Sequence, residues 1–458
     1  MMKRCILTTW LALAAITSQA GNNMTPDADG NNWQLTVADN HRWLQHTDGR
    51  PFFWLGDTGW LLPHKLNRKD ICLYLDDCRQ NGFNVVQVQV IKGDGVRPNW
   101  RKMDFIVSEA EKRGIYIGMV AVWGSVVKSG KMNAEQAAAY GRFLAHRYAK
   151  RPNIVWMMGG DIEGNVHPEV WDSLATNIKR IDTHHLMTYH PRGRTFSAKW
   201  FNNREWLDFN MFQSGHRRYN QRGNDKHYPI PEGTEEDNFQ YVDSCFSYTP
   251  MRPVLDGEPS YENIPQGLHN PQEPRWHDGD MRRYAYWSVF AGSCGHTYGN
   301  NEIMQFIGEN ETEGAYGANG SVKSWRQALG DPGRRQMKHL RRLMELFPMK
   351  EVRPAQQLIV NNGKQHEHVA ACRGKNFALI YNYCNMDYMV DFSQFGCPQL
   401  SIYTMDPKTG ETKYFGDVSN MPMSMLSEAE NGKTDDEVIM IVDASDSRLR
   451  KQIESADL

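Results

Sequence analysis

The sequence predicts a (β/α)8 barrel followed by a small all-β sandwich, and three observations carry that prediction. Eight short apolar runs alternate with amphipathic helical stretches over roughly three hundred residues. The longest polar, glycine-rich connections, 214–237, 259–280 and 299–321, follow the sixth, seventh and eighth of these runs, so one rim of a barrel carries pocket-building loops. From about Arg353 helical periodicity stops, and short strands separated by Gly, Asn and Asp turns take over. A doubly wound open sheet is the rival, but no GxGxxG or GxxxxGK follows any strand.

Phe52 to Asp57 reads as the first strand. Asn67 caps a helix with Ile71, Tyr74, Leu75 and Cys78 on one face, closed by Gly82. Asn84 to Val90 is the second strand, Phe105 to Arg113 the next helix, and Ile115 to Val122 the third strand. Asn133 and Gln136 form a capping box ahead of Ala137, Tyr140, Leu144 and Tyr148. Ile154 to Met158 is the fourth strand; its unbroken apolar run suits a strand covered on both faces. A helix over Pro168 to Asp182 leads to the fifth strand, His185 to Tyr189. Leu207 to Phe212 and Pro253 to Asp256 are the sixth and seventh. A helix from Met281 to Ala291, the eighth strand Gly295 to Tyr298, and a helix from Asp331 to Phe347 complete the barrel. In the sandwich, strands are expected at 357–360, 368–372, 377–381, 389–392, 400–403 and 438–442, with no helix among them.

The N-terminus reads as an export leader. Lys3-Arg4 precede an apolar run, Cys5 to Ile16, which ends in Thr17-Ser18-Gln19-Ala20, a small-residue cleavage site. The run is too short to span a bilayer. We therefore expect a leader over 1–20, a barrel over 21–350, a sandwich over 351–458, and a periplasmic or secreted protein. The formal net charge of −2 lacks the signature of a nucleic-acid or anionic-membrane partner. Of the seven cysteines beyond the leader, none forms a CxxC or paired zinc spacing, and their odd number forbids complete pairing. Fourteen Trp, 19 Tyr and 18 Phe make an aromatic-rich chain, a composition that serves cores and also sugar-binding rims.

Two stretches share one design. Ile154 to Met158 runs into Gly159-Gly160 and then Asp161; Val254-Leu255-Asp256 runs into Gly257 and then Glu258. Each delivers an acid to the end of a barrel strand, where enzymes of this architecture keep their reactive groups. Glycosidic bonds are cleaved by such a pair: one carboxyl protonates the leaving oxygen, and the other attacks the anomeric carbon or activates water. Each acid alone also suits a helix cap or a rim ion pair. Asp256 and Glu163 are the nearby decoys, with Asp256 expected to point opposite to Glu258. Asp57, ending the first strand, suits a sugar hydroxyl or a turn. Trp60 and Trp123, just past strand ends, suit stacking on a sugar ring or packing under a loop. Tyr189 and His190 end the fifth strand, Gln213 and His216 follow the sixth, and Tyr298 ends the eighth. All carry donors fit for sugar recognition or for tuning a carboxylate. No HxH, HExxH or GxSxG appears, and His184-His185 fall at the start of a strand, on the wrong rim; we expect no metal and no other cofactor.

With these residues in view, the chain resembles the glycoside hydrolase family 140 apiosidases and the wider family of exported apiosidase-like barrels, which carry a C-terminal domain named for collagen binding. The matching stretches are Phe53 to Trp60, Trp156 to Asp161, Tyr189-His190-Pro191, Phe212 to His216, Asp256 to Pro259 and Asp406 to Gly410. The resemblance implies that Asp161 is the acid and Glu258 the nucleophile or base. It also implies hydrolysis of apiose linked to the galacturonan backbone of rhamnogalacturonan II. The expected partner is a polysaccharide or oligosaccharide, met by a monomer. Two rivals keep the barrel: a glycosidase for another plant glycan linkage, and a non-catalytic glycan-binding protein.

Overall fold

The computed structural model describes residues 32–221, 230–268, 270–311, 314, 320–425 and 436–458. The expected leader and parts of the connections after the sixth, seventh and eighth strands lie outside the described residues.

Three short antiparallel strands, β1 (Leu35–Val37), β2 (Leu44–His46) and β3 (Pro51–Phe52), precede the barrel. They sit at its N-terminal end, where the Trp33 ring meets Tyr116 edge-on at 5.0 Å. The barrel strands are β4 (Trp54–Thr58), β5 (Val85–Ile91), β6 (Tyr116–Val122), β7 (Ile154–Ile162), β8 (Met187–Pro191), β10 (Asn210–Gln213), β11 (Val254–Asp256) and β12 (Gly295–Tyr298); β9 (Thr195–Phe196) is inserted between the fifth and sixth of them. The sheet runs in the order β8-β7-β6-β5-β4-β12-β11-β10-β9, parallel throughout except where β9 lies antiparallel to β10. The remaining seam, between β8 and β10, is drawn together by Asp208. Its backbone N–H donates to Met187 O (2.9 Å), and its carboxylate accepts from Met187 N–H (2.7 Å). The result is a (β/α)8 barrel whose strands are buried on both faces, hence the apolar runs without alternation.

The caps read from sequence are in place: Asn67 accepts from Asp70 N–H, and Asn133 with Gln136 closes a capping box on the helix Ala134–Tyr148. Three details differ from expectation. The fourth barrel strand does not stop at Met158 but continues to Ile162 through an irregularity. The helix after the second barrel strand begins at Trp100, capped by Asn99, because that side chain offers the earlier start. A further helix, Phe239–Phe246, fills the connection after β10.

The C-terminal part is an antiparallel six-stranded sheet, β13 (Arg353–Pro354), β14 (Val369–Arg373), β15 (Phe377–Asn382), β17 (Gln399–Met405), β18 (Thr412–Ser419) and β20 (Glu437–Asp443). It is covered by a ribbon of β16 (Tyr388–Asp391) and β19 (Pro422–Met425). Residues 356–358 form a 3-10 turn where a strand was expected, and a helix, Ser447–Ser455, follows β20 although no helix was. Alternation divides the sheet cleanly. Val369, Ala371, Ala378, Ile380, Ile439 and Ile441 face the ribbon, with Val390 and Phe392. Cys372, Phe377, Leu379, Tyr381, Met440 and Val442 face the other way and join the barrel's own core. Tyr381 stacks on Tyr286 of the barrel helix Asp278–Phe290 at 4.5 Å, and Phe377 lies 4.6 Å from Phe347. A buried bidentate pair between Arg282 and Asp436 (2.7 and 2.9 Å) crosses the same boundary.

Candidate active site

The end of β7 is built to turn Asp161 out of the ladder. Gly159 pairs with His190 and Ile162 with Pro191, leaving Gly160 and Asp161 as a bulge. Gly159, Gly160 and Asp161 all take left-handed backbone conformations (φ 86, 103 and 54°). A Cβ on Gly159 would lie 2.3 Å from His190 O, and one on Gly160 would lie 2.7 Å from the Trp123 ring. Only glycine fits both places. Asp161, an L residue in the left-handed region, holds strain of the kind that clusters at functional sites. Its carboxyl opens into a cleft and keeps contact with solvent, but the surrounding protein partly desolvates it, and the negative Glu258 stands nearby. Both effects push its pKa above the usual aspartate range, against the opposing pull of His190 and an N–H from Gly193.

Glu258 arrives from β11 through Gly257, whose Cα comes so close to Met211 that a Cβ would meet Met211 Sδ at 2.3 Å. The Glu258 side chain is 8 % exposed and set between two imidazoles. His216 Nε2 lies 3.1 Å from Oε1 as a hydrogen bond. His190 Nε2 lies 3.1 Å from Oε2, at ion-pair range but off hydrogen-bond alignment. Asp161 N–H donates to His190 Nδ1 at 3.4 Å, which leaves Nε2 as the protonated nitrogen facing Glu258. Burial alone would raise the Glu258 pKa, but the hydrogen bond to His216 and the two imidazoles set against its oxygens pull it below the usual glutamate range. One ring therefore connects the backbone of one acid to the carboxylate of the other.

Both carboxyls open on one cleft of about 410 Å³, also lined by Trp60, Trp123, Gln213, His216 and Tyr261. Trp60 is 2 % exposed and backs the wall, 5.3 Å from both Trp123 and His190, while half-buried Trp123 presents surface to a ligand. Gln213 Oε1 and His216 Nδ1 have no hydrogen-bond partner among the described residues, which leaves two acceptors for a polar ligand. Sequence reasoning missed Tyr261 and three arginines. The Tyr261 hydroxyl accepts from Trp60 Nε1 at 3.1 Å, and its ring stands edge-on to His216 at 4.6 Å. Arg192, Arg194 and Arg217 also line the cleft. Tyr261 lies three residues past Glu258, close enough for its position to have signalled it. The arginines sit in irregular segments that carry no periodic signal.

Three expected sugar contacts lie elsewhere. Asp57 is fully buried on the outer side of β4, bonded to the Tyr74 hydroxyl (2.6 Å) and to Arg334 Nη1 (2.6 Å) of the helix Pro332–Leu346. Tyr298 is paired in register with Asp57, shares its face, and donates to the buried Glu262. Tyr189 points outward too, its hydroxyl on Ile162 O at 3.1 Å and its ring 4.7 Å from Phe201. Strand alternation explains all three: Tyr189 and His190 are consecutive, so when His190 faces the cleft Tyr189 cannot. Asp256 is likewise turned to Ser214 and Asn238, away from the cleft, with its pKa pushed up to about 7 by burial. Glu163 pairs with Arg192 at 3.2 Å.

A raised acid and a lowered acid in one cleft, with an aromatic wall and unsatisfied acceptors, form an arrangement suited to splitting an acetal. Comparisons with known proteins agree with the barrel and its class of chemistry. Residues 38–351 match the family model of the apiosidase-like catalytic domain, and 353–443 match one named for the collagen-binding domain of a collagenase. A crystal structure described as a glycoside hydrolase family 5 protein from Bacteroides vulgatus ATCC 8482 is 47 % identical. It covers 91 % of this chain and 95 % of its own, with a TM-score of 0.88. A second structure, described as a glycoside hydrolase, is 48 % identical over 90 % of this chain and 98 % of its own, with a TM-score of 0.86. No curated protein matches the chain. The chain belongs to the apiosidase-like family and is a glycoside hydrolase.

Proposed function

We propose that this enzyme hydrolyses an apiosyl linkage to the galacturonan backbone of rhamnogalacturonan II, with Asp161 as proton donor and Glu258 as nucleophile or base. The observation that carries the reading is that both carboxyls open on one cleft in different settings, Asp161 at its open mouth and Glu258 buried between His190 and His216. Asp161, partly desolvated and beside the negative Glu258, keeps a proton for the leaving oxygen. Glu258, held by two imidazoles, stays charged and attacks the anomeric carbon or a water. As Asp161 loses its proton, the Gly193 N–H and the histidines stabilise the carboxylate that forms. The family supports the apiosyl assignment, and three arginines on the cleft wall suit an anionic backbone. The basic-apolar leader supports export to where such polymers occur, testable by N-terminal sequencing of the mature protein.

The test is product release from rhamnogalacturonan II by wild type and Glu258→Gln. Release of an apiose-terminated fragment by wild type alone supports both the linkage and the residue. Activity confined to another glycan keeps the carboxyl pair and discards the apiosyl assignment, an alternative favoured by the family 5 description of one relative. Binding without hydrolysis of any glycan would overturn the catalytic reading of this cleft.

A further inference from the structure

The loop after β10 supplies His216 to Glu258 and Arg217 to the cleft wall. Its backbone also meets Glu258 directly, since Gly215 N–H donates to Glu258 O at 3.1 Å. The far end of this loop, Tyr219-Asn220, is gripped by three consecutive buried acids. Asn220 N–H donates to Glu235 Oε2 (3.3 Å), Tyr219 N–H to Glu236 Oε1 (2.9 Å), and the Tyr219 hydroxyl to Asp237. Glu236 has a second oxygen, and two donors converge on it from outside the loop. Arg283 Nη2 of the barrel helix Asp278–Phe290 lies at 2.6 Å. His366 Nε2, on a turn of the C-terminal β domain, lies at 3.0 Å. The neighbouring Gln365 amide reaches Gly233 O at 3.3 Å, and the His366 ring stands 5.2 Å from the Tyr219 ring.

A buried carboxylate is a costly way to join two domains when apolar contact is available, and this boundary already has Phe377, Leu379 and Tyr381 in the shared core. What hydrogen bonds to a charged group add is direction: they fix where the Tyr219 amide must sit. We propose that the β domain forms part of the support of the active site. His366, acting through Glu236, is a positioning residue for the 214–221 loop, and through that loop for His216 against Glu258. The inference rests on the reading of Glu258 as the charged member of the pair. His366 keeps 45 % of its side chain exposed, so replacing it does not hollow the core.

The test compares full-length wild type with His366→Ala, His366→Gln and Glu236→Gln. One readout is amide hydrogen exchange of the 214–221 segment. The other is the pH profile of kcat/KM on whichever glycan wild type hydrolyses. We expect His366→Ala to raise exchange in the segment several-fold and to lower kcat/KM by roughly tenfold, the scale of a slightly misplaced catalytic group. Its acid limb should move up toward the ordinary glutamate range, because His216 then holds the carboxylate less firmly. His366→Gln, which keeps a donor for Glu236, should recover much of both effects, and Glu236→Gln should match or exceed the alanine variant. Unchanged exchange in both His366→Ala and Glu236→Gln overturns the proposal. So does raised exchange with a wild-type acid limb and kcat/KM. Should Glu258→Gln remain active, the carboxyl-pair reading fails, and the exchange measurement still decides whether the β domain holds the loop.

Discussion

Strand ends around one barrel rim carry polar side chains and use them differently. At the ends of β7 and β11, Asp161 and Glu258 face a common cleft and are tuned apart. At the ends of β4 and β12, Asp57 and Tyr298 face the outer helices, and Asp57 is spent on a fully buried pair with Arg334. The two pairs of strands share architecture, direction and glycine-rich texture. What separates them is which face of the strand each residue occupies, and on the β7 side a two-residue bulge that takes Asp161 out of the ladder altogether. An acid at the end of a barrel strand is therefore a candidate only once its facing is known.

The largest effect expected from breaking this contrast is chemical. Asp161→Asn should lower kcat on natural linkages by roughly 10²- to 10⁴-fold, the usual worth of a general acid, yet leave turnover of activated aryl glycosides near wild type. Equal loss on both substrates would remove Asp161 from the donor role. The same opposition fixes the pH profile. Glu258 is held below its usual range, so its charged form survives acidification past the ordinary glutamate pKa; Asp161 is held above its usual range, so it keeps its proton beyond the ordinary aspartate pKa. Between those limits kcat/KM should plateau, falling on the acid side as Glu258 is protonated and on the alkaline side as Asp161 ionises. A profile with reversed assignments in the two variants would exchange their roles.

At the ends of β4 and β12 the expected effect is on stability. Arg334→Met strips Asp57 and Asp77 of their buried partner and should cost about 3–5 kcal/mol in urea unfolding. Activity per folded molecule should stay near wild type; a raised KM would bring Asp57 back to the sugar. Smallest of all is Tyr298→Phe. Losing the bond to Glu262 should cost about 1–2 kcal/mol with little change in kcat/KM, whereas a large kinetic loss would contradict its outward orientation.

These cases also show how far sequence reading reaches. The barrel is legible because strand and helix periodicities differ, and glycine followed by an acid marks the ends of β7 and β11. Facing is not legible in strands buried on both sides, because an unbroken apolar run carries no alternation to count from; hence Asp57, Tyr189 and Tyr298 were placed with His190 and Glu258. The bulge at Gly160-Asp161 compounds this, since one unmatched pair of residues reverses nothing in composition. Tyr261 and the cleft arginines lie in irregular loops whose course only tertiary packing decides.

One consequence of the divided sheet concerns inheritance. A domain joined by a linker can be moved between proteins like a label, but here Cys372, Phe377, Leu379, Tyr381 and Met440 complete a core whose other half belongs to the barrel. Recombination at residue 352 would leave both fragments with an uncovered apolar strip, and each would need a complementary surface from its new neighbour to stay soluble. The two halves should therefore travel together through descent and melt as one cooperative unit, with a calorimetric enthalpy equal to the van't Hoff value.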